Sequence, residues 1–435
     1  MNEYSEHLIS QAVAECDALR FDTATRLLRL ALGQSGRDAF VLYGLGHMAY
    51  RQGNFAEAVR LLDQALAIDP GNPKAHIDRG LALFGLRDDR AAIASMDRGL
   101  EMNADIALAV MNEGIEALRI GEFRTGWWRY EARLVASPGI VPRRRFREPR
   151  WSGRPEELAG RTILLHSEQG HGDAIQFVRY VPAVAALGAT VLVEGHPGLR
   201  ALYRQMPGVS GVFALNDTLP PFDLQCPLVS LPLAFRTELA DIPAQVPYLV
   251  APADRVAVWQ RRLGPRKAPR IGIAWSGNTA FQGDQDRSIP LAVLEPLLAE
   301  TGYDLHIVQT DIRAADRLVL LRQPHAQDHS ERLYDFADTA ALMSQLDLVV
   351  SVDTSVAHLA GALGLPVWLM IPANADWRWL TGRDDSPWYP TMRLFRQSAP
   401  GDWHGVVERV LRMLRATDLT SHAGVVQSGA PAKHS

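Results

Sequence analysis

A 34-residue repeat is the feature that most constrains how the first part of this chain can fold. Gly46, Gly80 and Gly114 lie on this spacing, and Ala58 and Ala92 follow the same grid. Each period contains a helical stretch, a turn, a second helical stretch and a stop rich in Gly, Pro or Asn. Small residues at fixed positions let two helices approach closely, so we expect helix pairs that stack on one another.

The period and its residues resemble the tetratricopeptide repeat family, with three clear units over residues 39–134 and a weaker one before them. The resemblance implies an all-α solenoid over residues 1–134. Because such helix pairs stack around a concave surface, the expected partner is a peptide or protein bound on that face. The alternative is that the repeats only brace the remainder of the chain.

Composition narrows the possible functions. The chain has 435 residues, which suggests two or three domains, and its hydrophobic fraction of 47% is sufficient for full cores. A net charge of -4 disfavours a nucleic-acid partner, which would call for a strongly basic face. Two cysteines are too few for a disulfide framework or a thiolate metal cluster. We find no leader sequence and no run that could span a bilayer, and predict a cytoplasmic protein without a transmembrane segment.

The rest of the chain alternates strand-like and helix-like stretches. Residues 135–160 are rich in Pro and Arg and are interpreted as a linker. Residues 161–250 and 251–415 show the pattern of parallel sheets with crossover helices. We therefore predict an α + α/β chain with two Rossmann-like domains, and a disordered tail over residues 416–435.

The stretch VVSVDTSVAHLAGALGLPV places small polar residues where an apolar strand gives way to a helix. Open α/β sheets bind ligands beyond the carboxyl ends of their strands, where helix N-terminal amides can hold phosphate. Asp353, Thr354 and Ser355 are therefore candidates for binding a diphosphate. The alternative is an ordinary N-cap followed by a buried core histidine at His358.

Residues 161–412 resemble the heptosyltransferase-related glycosyltransferases of family 9, which have the GT-B arrangement of two Rossmann-like domains. In that family an Asp-Thr-small-x-x-His-Leu segment opens the helix under the donor diphosphate, and Asp353, Thr354, Ser355 and His358 match it. The stretch GHGDAIQFVRYVP is similar to the family's Gly-Asp turn. The resemblance implies an inverting transferase with Asp173 as the catalytic base.

The chemistry of sugar transfer agrees with a carboxylate at Asp173. Transfer from a nucleotide diphosphate requires a group that accepts the proton of the acceptor hydroxyl. The Gly-His-Gly stretch before Asp173 permits close approach of the backbone to a ligand. The alternative is that Asp173 is the N-cap of a helix beginning at Ala174.

Further candidates follow two other predicted strands. Without a metal, the leaving diphosphate needs positive charge, and Arg287 lies where the heptosyltransferases have a comparable Lys. Asn278 in the same loop is a candidate for binding phosphate or sugar, with a simple turn as the alternative. Asp376 and Trp377 lie just beyond a strand and are candidates for ligand contact, whereas the other aromatic residues after them are interpreted as packing.

The Asp-x-Asp of Asp284 and Asp286 is interpreted as a solvated loop rather than a metal site, and the histidines lack a metal-binding spacing. We therefore expect no metal and no cofactor, with a nucleotide sugar as the donor substrate.

The combined prediction is a metal-independent glycosyltransferase whose repeats recruit a protein acceptor or partner. Joining repeats to such a domain is similar to the O-linked N-acetylglucosamine transferases. Two alternatives stay open: a transferase acting on a lipid or polysaccharide acceptor, or a catalytically degenerate interaction scaffold.

Overall fold

The computed structural model describes residues 3–17, 20–35, 38–136, 144, 146–280 and 283–419. The chain divides into two compact units. The first, here called the helical part, comprises Met1–Ala117 and Arg124–Arg145; the second, the α/β part, comprises Leu118–Phe123 and Phe146–Ser435. Residues 137–143 and 145 of the predicted linker and 420–435 of the predicted tail lie outside the described residues. The domain boundaries expected from the sequence stay predictions.

The chain begins with consecutive helices that pack as hairpins. They are α1 (Glu3–Asp17), α2 (Phe21–Ser35), α3 (Ala39–Arg51), α4 (Phe55–Ile68), α5 (Pro73–Gly85), α6 (Asp89–Met102), α7 (Ala104–Arg119), α8 (Phe123–Tyr130) and α9 (Arg133–Ala136). Helix α1 packs on α2, α3 on α4 and α5 on α6, and successive pairs contact through α2 with α3 and α4 with α5. The predicted all-α repeat region is confirmed.

The glycines of the 34-residue grid lie where these helices approach most closely. A Cβ atom on Gly46 would lie 2.7 Å from the Leu62 side chain of α4. A Cβ atom on Gly114 would lie 2.6 Å from the backbone nitrogen of Tyr130 in α8. Since such distances are shorter than van der Waals contact, the repeat requires glycine at these positions for steric reasons.

The α/β part contains ten strands within the described residues, all in two parallel sheets. They are β1 (Thr162–His166), β2 (Thr190–Gly195), β3 (Val209–Ala214), β4 (Leu224–Pro227), β5 (Arg270–Ala274), β6 (Asp304–Ile307), β7 (Gln327–Asp328), β8 (Leu348–Val352), β9 (Val367–Ile371) and β10 (Met392–Arg396). The first sheet has the order β3-β2-β1-β4, and the second has the order β10-β9-β8-β5-β6-β7.

Helices connect these strands. They are α10 (His171–Phe177), α11 (Val181–Ala186), α12 (Arg200–Tyr203), α13 (Leu231–Ala234), α14 (Ala253–Leu263), α15 (Asp284–Arg287), α16 (Glu295–Leu298), α17 (Ala314–Leu320), α18 (Phe336–Met343), α19 (Ser355–Ala362) and α20 (Trp403–Ala416). A C-terminal α/β region with parallel sheets is therefore confirmed. None of the helices in the described ranges is long and apolar enough to cross a membrane.

The strand order determines where a ligand can enter. In each sheet the order reverses once, between β1 and β4 in the first sheet and between β5 and β8 in the second. At such a reversal the connections leave on opposite faces, so a crevice forms beyond the carboxyl ends of the two strands. Buried apolar side chains of β5 and β8, such as Ile273 and Val350, fix this edge in the core of the second sheet.

Candidate functional site

Arg287 lies at the crevice of the second sheet. Its Nη1 donates a hydrogen bond of 2.9 Å to the carbonyl oxygen of Asp353, which directly follows β8. Its Nε donates to Asp284 Oδ1 at 3.3 Å. Gly277, which follows β5, leaves room for the guanidinium, because a Cβ atom there would lie 2.5 Å from Arg287 Nη2. The loop after β5 thus carries a positive charge to the end of β8.

The N-terminus of α19 begins at the same place. Thr354 is the N-cap residue, but its side chain makes no capping hydrogen bond. Ser355 is the first residue of the helix and is partly exposed. Within the described part of the chain, no hydrogen bond engages the backbone N–H of Ser355 or Val356. Two amides and the positive end of the helix dipole are therefore available to an anion beside Arg287.

The Asp353 side chain lies between α19 and the loop after β9. Its Oδ2 accepts a hydrogen bond of 2.8 Å from the indole of Trp379. Burial, and secondarily the nearby Asp376, raises the pKa of the Asp353 carboxyl to about 6, although Trp379 and Arg287 act in the opposite direction. Asp353 therefore takes up a proton readily in mildly acidic solution, which lowers the electrostatic cost of an anion beside it.

His358 is buried one turn into α19. Its Nδ1 lies 2.9 Å from the Tyr389 hydroxyl, and its Nε2 lies 3.8 Å from Asp353 Oδ1. The ring stacks on Trp379 with centroids 5.4 Å apart. Burial, followed by the charges of Arg378 and other arginines, holds the pKa of the imidazole well below its usual range. His358 is therefore neutral at physiological pH.

Asp173 comes to this site from the first sheet. It is the third residue of α10, which begins at His171 rather than at Ala174. The N-cap residue is Gly170, so the N-cap alternative for Asp173 is wrong; instead, Asp173 Oδ2 accepts a hydrogen bond of 3.1 Å from the Gly170 N–H. Close approach of α10 to α19 depends on Gly172, where a Cβ atom would lie 2.9 Å from His358 Cδ2.

Arg378 joins the two sheets and was not anticipated from the sequence. Its Nη2 donates to Asp173 Oδ1, its Nε to Gln176 Oε1 at 2.7 Å, and its Nη1 to Asp376 Oδ1 at 2.8 Å. The guanidinium is buried and lies 4.2 Å from the centre of the Trp377 ring. The only sequence signal is a single Arg between two tryptophans, directly after the candidate residues Asp376 and Trp377.

The remaining predicted residues differ in their surroundings. Asp376 is exposed and binds Arg378. Trp377 is 2% exposed and packs against the Phe177 and Trp388 rings, so its indole belongs to the core beneath the site. Asn278 is exposed, and its Oδ1 accepts a hydrogen bond of 2.9 Å from the Ala280 N–H. The structure thus brings the other predicted residues together and places Asn278 in a local turn.

The two aspartates of the Asp-x-Asp segment have separate environments. Asp284 is buried, where we expected a solvated residue, and its two oxygens accept hydrogen bonds from Arg287 and Arg313. Asp286 is exposed. In the described ranges, no group of three or more His, Cys, Asp or Glu side chains is arranged to hold a metal ion.

Comparison with known proteins identifies the repeats of the helical part and one curated relative that spans both parts. Residues 49–110 match the family model for the tetratricopeptide repeat. The prediction of tetratricopeptide repeats is therefore confirmed. Protein FlbA of Caulobacter vibrioides is 27% identical over 430 residues, covering 91% of this chain and 70% of FlbA.

Solved structures similar to the chain include two transferases. E. coli ADP-heptose lps heptosyltransferase II covers 59% of this chain and 98% of its own, with 14% identity and a TM-score of 0.43. The glycosyl transferase family 9 structure from Veillonella parvula covers 60% and 97%, with 9% identity and a TM-score of 0.45.

Proposed function

We propose that this protein is an inverting glycosyltransferase with two Rossmann-like domains in the GT-B arrangement, preceded by tetratricopeptide repeats. The observation that carries the proposal is the convergence at the end of β8. There the Arg287 guanidinium and the unengaged amides of Ser355 and Val356 lie at one crevice. Cationic and dipolar groups of this kind stabilise the charge that develops on a leaving diphosphate.

The strand orders support the two-domain arrangement. Both sheets are parallel, and in each the order of the strands reverses once, as in doubly wound nucleotide-binding sheets. The crevice of the second sheet would hold the nucleotide sugar, and α10 of the first sheet presents Asp173 toward it through Arg378. The donor and the acceptor would therefore meet between the two sheets.

The proposed reaction is a single displacement at the anomeric carbon. The acceptor hydroxyl oxygen forms the new C–O bond, while the bond from the anomeric carbon to the diphosphate oxygen breaks. Asp173 accepts the hydroxyl proton, and the nucleoside diphosphate leaves with the bonding electrons. Arg287 and the amides at α19 stabilise the leaving group, so that metal is not required. Arg378 orients the Asp173 carboxylate through a direct ion pair.

The helical part would recruit a protein acceptor or partner. Phe40 and Leu108 are 51% and 45% exposed, and they occupy the same position of the 34-residue grid two repeats apart. The repeat between them has Lys74 at this position. Exposed apolar side chains on two of the repeat helices suit an extended peptide. If the acceptor is instead a lipid or a polysaccharide, the product of a transfer assay would be a glycolipid or a glycan.

A nucleotide-binding assay tests the proposal. Thermal shift against a panel of nucleoside diphosphates and nucleotide sugars should show stabilisation that survives EDTA. Arg287→Gln should lose most of this shift, because it removes the cation at the crevice. The matched control is Arg322→Gln, which removes an exposed arginine paired with Glu295. No shift with any nucleotide would favour the scaffold alternative.

A further inference from the structure

Two tyrosine hydroxyls lie next to each other behind the candidate site, between α10 and α19. The Tyr248 hydroxyl lies 3.0 Å from the carbonyl oxygen of Ile175 and 3.0 Å from Arg179 Nη2. The Tyr389 hydroxyl lies 3.5 Å from the Tyr248 hydroxyl and 2.9 Å from His358 Nδ1. Tyr248 thus contacts α10, and Tyr389 contacts α19.

Counting the protons of the two hydroxyl groups assigns each hydrogen-bond donor. A carbonyl oxygen only accepts, so Tyr248 gives its single proton to Ile175, and its oxygen accepts from Arg179. Tyr248 then has no proton left for Tyr389. The Tyr389 proton has a much better acceptor in His358 Nδ1 at 2.9 Å than in the Tyr248 oxygen at 3.5 Å.

The other side of the imidazole leads to the same assignment. His358 Nε2 faces Asp353 Oδ1 at 3.8 Å. A proton on Nε2 is attracted by that carboxylate, whereas a lone pair on Nε2 would be repelled by it. With Tyr389 donating to Nδ1 and Asp353 facing Nε2, both ends of the ring favour the same tautomer.

We propose that the Tyr389 hydroxyl fixes His358 as the neutral Nε2–H tautomer, which presents a hydrogen-bond donor at the end of β8 beside Asp353. Tyr389 is thus a positioning residue that acts through His358. The ligand that would accept this hydrogen bond is the diphosphate or the sugar of the nucleotide sugar. Its identity is the one part of the inference that rests on the proposed function. The low pKa of the buried imidazole supports a neutral ring.

The tautomer can be measured without any ligand. The full chain is labelled with ¹⁵N-histidine, and two-bond ¹H–¹⁵N correlation spectra are recorded at neutral pH. The His358 signals are identified by their loss in His358→Gln. We expect Nδ1 at the frequency of an unprotonated ring nitrogen and Nε2 at that of a protonated one. The opposite pattern in the wild-type protein overturns the proposal.

Two substitutions of tyrosine by phenylalanine then distinguish the role of Tyr389 from that of Tyr248. Tyr389→Phe should give a mixture of tautomers at His358, because Nδ1 has lost its donor. Tyr248→Phe is the matched control; it removes the neighbouring hydroxyl, which does not contact His358, and should leave the Nε2–H form intact. An unchanged tautomer in Tyr389→Phe, or an equal change in both variants, contradicts the role of Tyr389.

Binding supplies the second readout. For a nucleoside diphosphate that binds the wild-type protein, Tyr389→Phe should raise Kd by about 3- to 10-fold, the effect of one hydrogen bond, and Tyr248→Phe by less than about twofold. Equal Kd changes in both variants would contradict the proposal. If no nucleotide binds the wild-type protein, the proposed function fails, while the NMR result still decides the tautomer.

Discussion

At the scale of single residues, Arg378 connects polar groups that follow strands of both sheets at the candidate site. Each of three nitrogens donates to a different acceptor: the carboxylates of Asp173 and Asp376 and the amide oxygen of Gln176. The planar guanidinium offers these donors in a fixed fork, which a lysine cannot reproduce. Arg378 therefore holds residues of the first sheet and of the second sheet in one arrangement.

Replacing Arg378 should have a large effect on stability. Arg378→Met leaves the partly buried Asp173 carboxylate without its cation and the fully buried Gln176 amide oxygen without its donor. Breaking a buried pair from one side costs about 3–5 kcal/mol in the free energy of unfolding. Urea denaturation followed by tryptophan fluorescence measures this change.

Arg415→Met is the matched control for that substitution. Arg415 pairs with Glu300 on the surface and its side chain is 65% exposed. Because an exposed ion pair contributes about 1 kcal/mol or less, this variant should be nearly as stable as the wild type. Similar losses in the two variants would show that Arg378 does not organise the site.

The junction between a strand and a helix can be predicted from the sequence where the signal is local, whereas the diphosphate-binding role of its residues stays a prediction. Asp353, Thr354 and Ser355 form one turn, and the helix that they open begins where the apolar pattern changes. Arg378 and Tyr389 carry no such signal. The Arg378 bonds to Gln176 and Asp173 span 202 and 205 residues of sequence, so only the folded chain reveals them. The aromatic residues after Trp377, interpreted as packing, are buried, but Trp379 and Tyr389 also supply polar contacts.

At the scale of helices and strands, how well the sequence predicts an element depends on the periodicity of its residues. The repeat predicts helix pairs because the same small residues return in every unit. Strands β5 and β8 lie inside the second sheet, and their buried side chains give continuous apolar runs. Strands β3 and β10 are edge strands, each with partly exposed residues. An edge strand is buried on fewer sides, so its sequence carries a weaker apolar pattern.

The repeat glycines can be tested by a single added methyl group. Gly114→Ala should destabilise the helical part by about 1–3 kcal/mol, the usual effect of overpacking, because the Cβ atom would lie 2.6 Å from the Tyr130 backbone. Gly33→Ala is the matched control, since nothing lies within 4 Å of its Cβ position in α2. It should be neutral or stabilise by about 0.5–1 kcal/mol. Thermal unfolding by circular dichroism distinguishes the two, and equal melting temperatures would contradict the close-approach explanation.

At the scale of the whole molecule, buried histidines should set how stability depends on pH. His306 and His329 are buried in the second sheet, with Nδ1 of one 3.0 Å from Nε2 of the other. Burial is the main cause that lowers the pKa of His306 to about 3 and that of His329 to about 4, with a further contribution from His329 to the first and from Arg332 to the second. Both rings are therefore neutral in the folded protein.

The sign of the effect follows from proton binding. An unfolded histidine titrates near pH 6.5, so between about pH 6.5 and 4 the unfolded chain binds more protons than the folded one. The free energy of unfolding should therefore fall as the pH falls through this window. At pH 5 the loss amounts to about 2 kcal/mol for each imidazole. The pKa of Asp353 is raised to about 6, so this group makes the free energy of unfolding rise as the pH falls. Its single contribution is smaller than that of the two imidazoles together.

Urea midpoints measured from pH 8 to pH 5 test this expectation. The wild-type midpoint should decrease steadily below pH 6.5, and the double variant His306→Leu/His329→Leu should decrease much less, because no buried imidazole is left at this position to favour the protonated unfolded state. His404→Asn alters an exposed histidine in the same part of the chain and should retain the wild-type slope. If the urea midpoint of the double variant falls with pH as steeply as that of the wild type, other groups cause the pH dependence. The buried His358 is then the next candidate, because its pKa is also lowered.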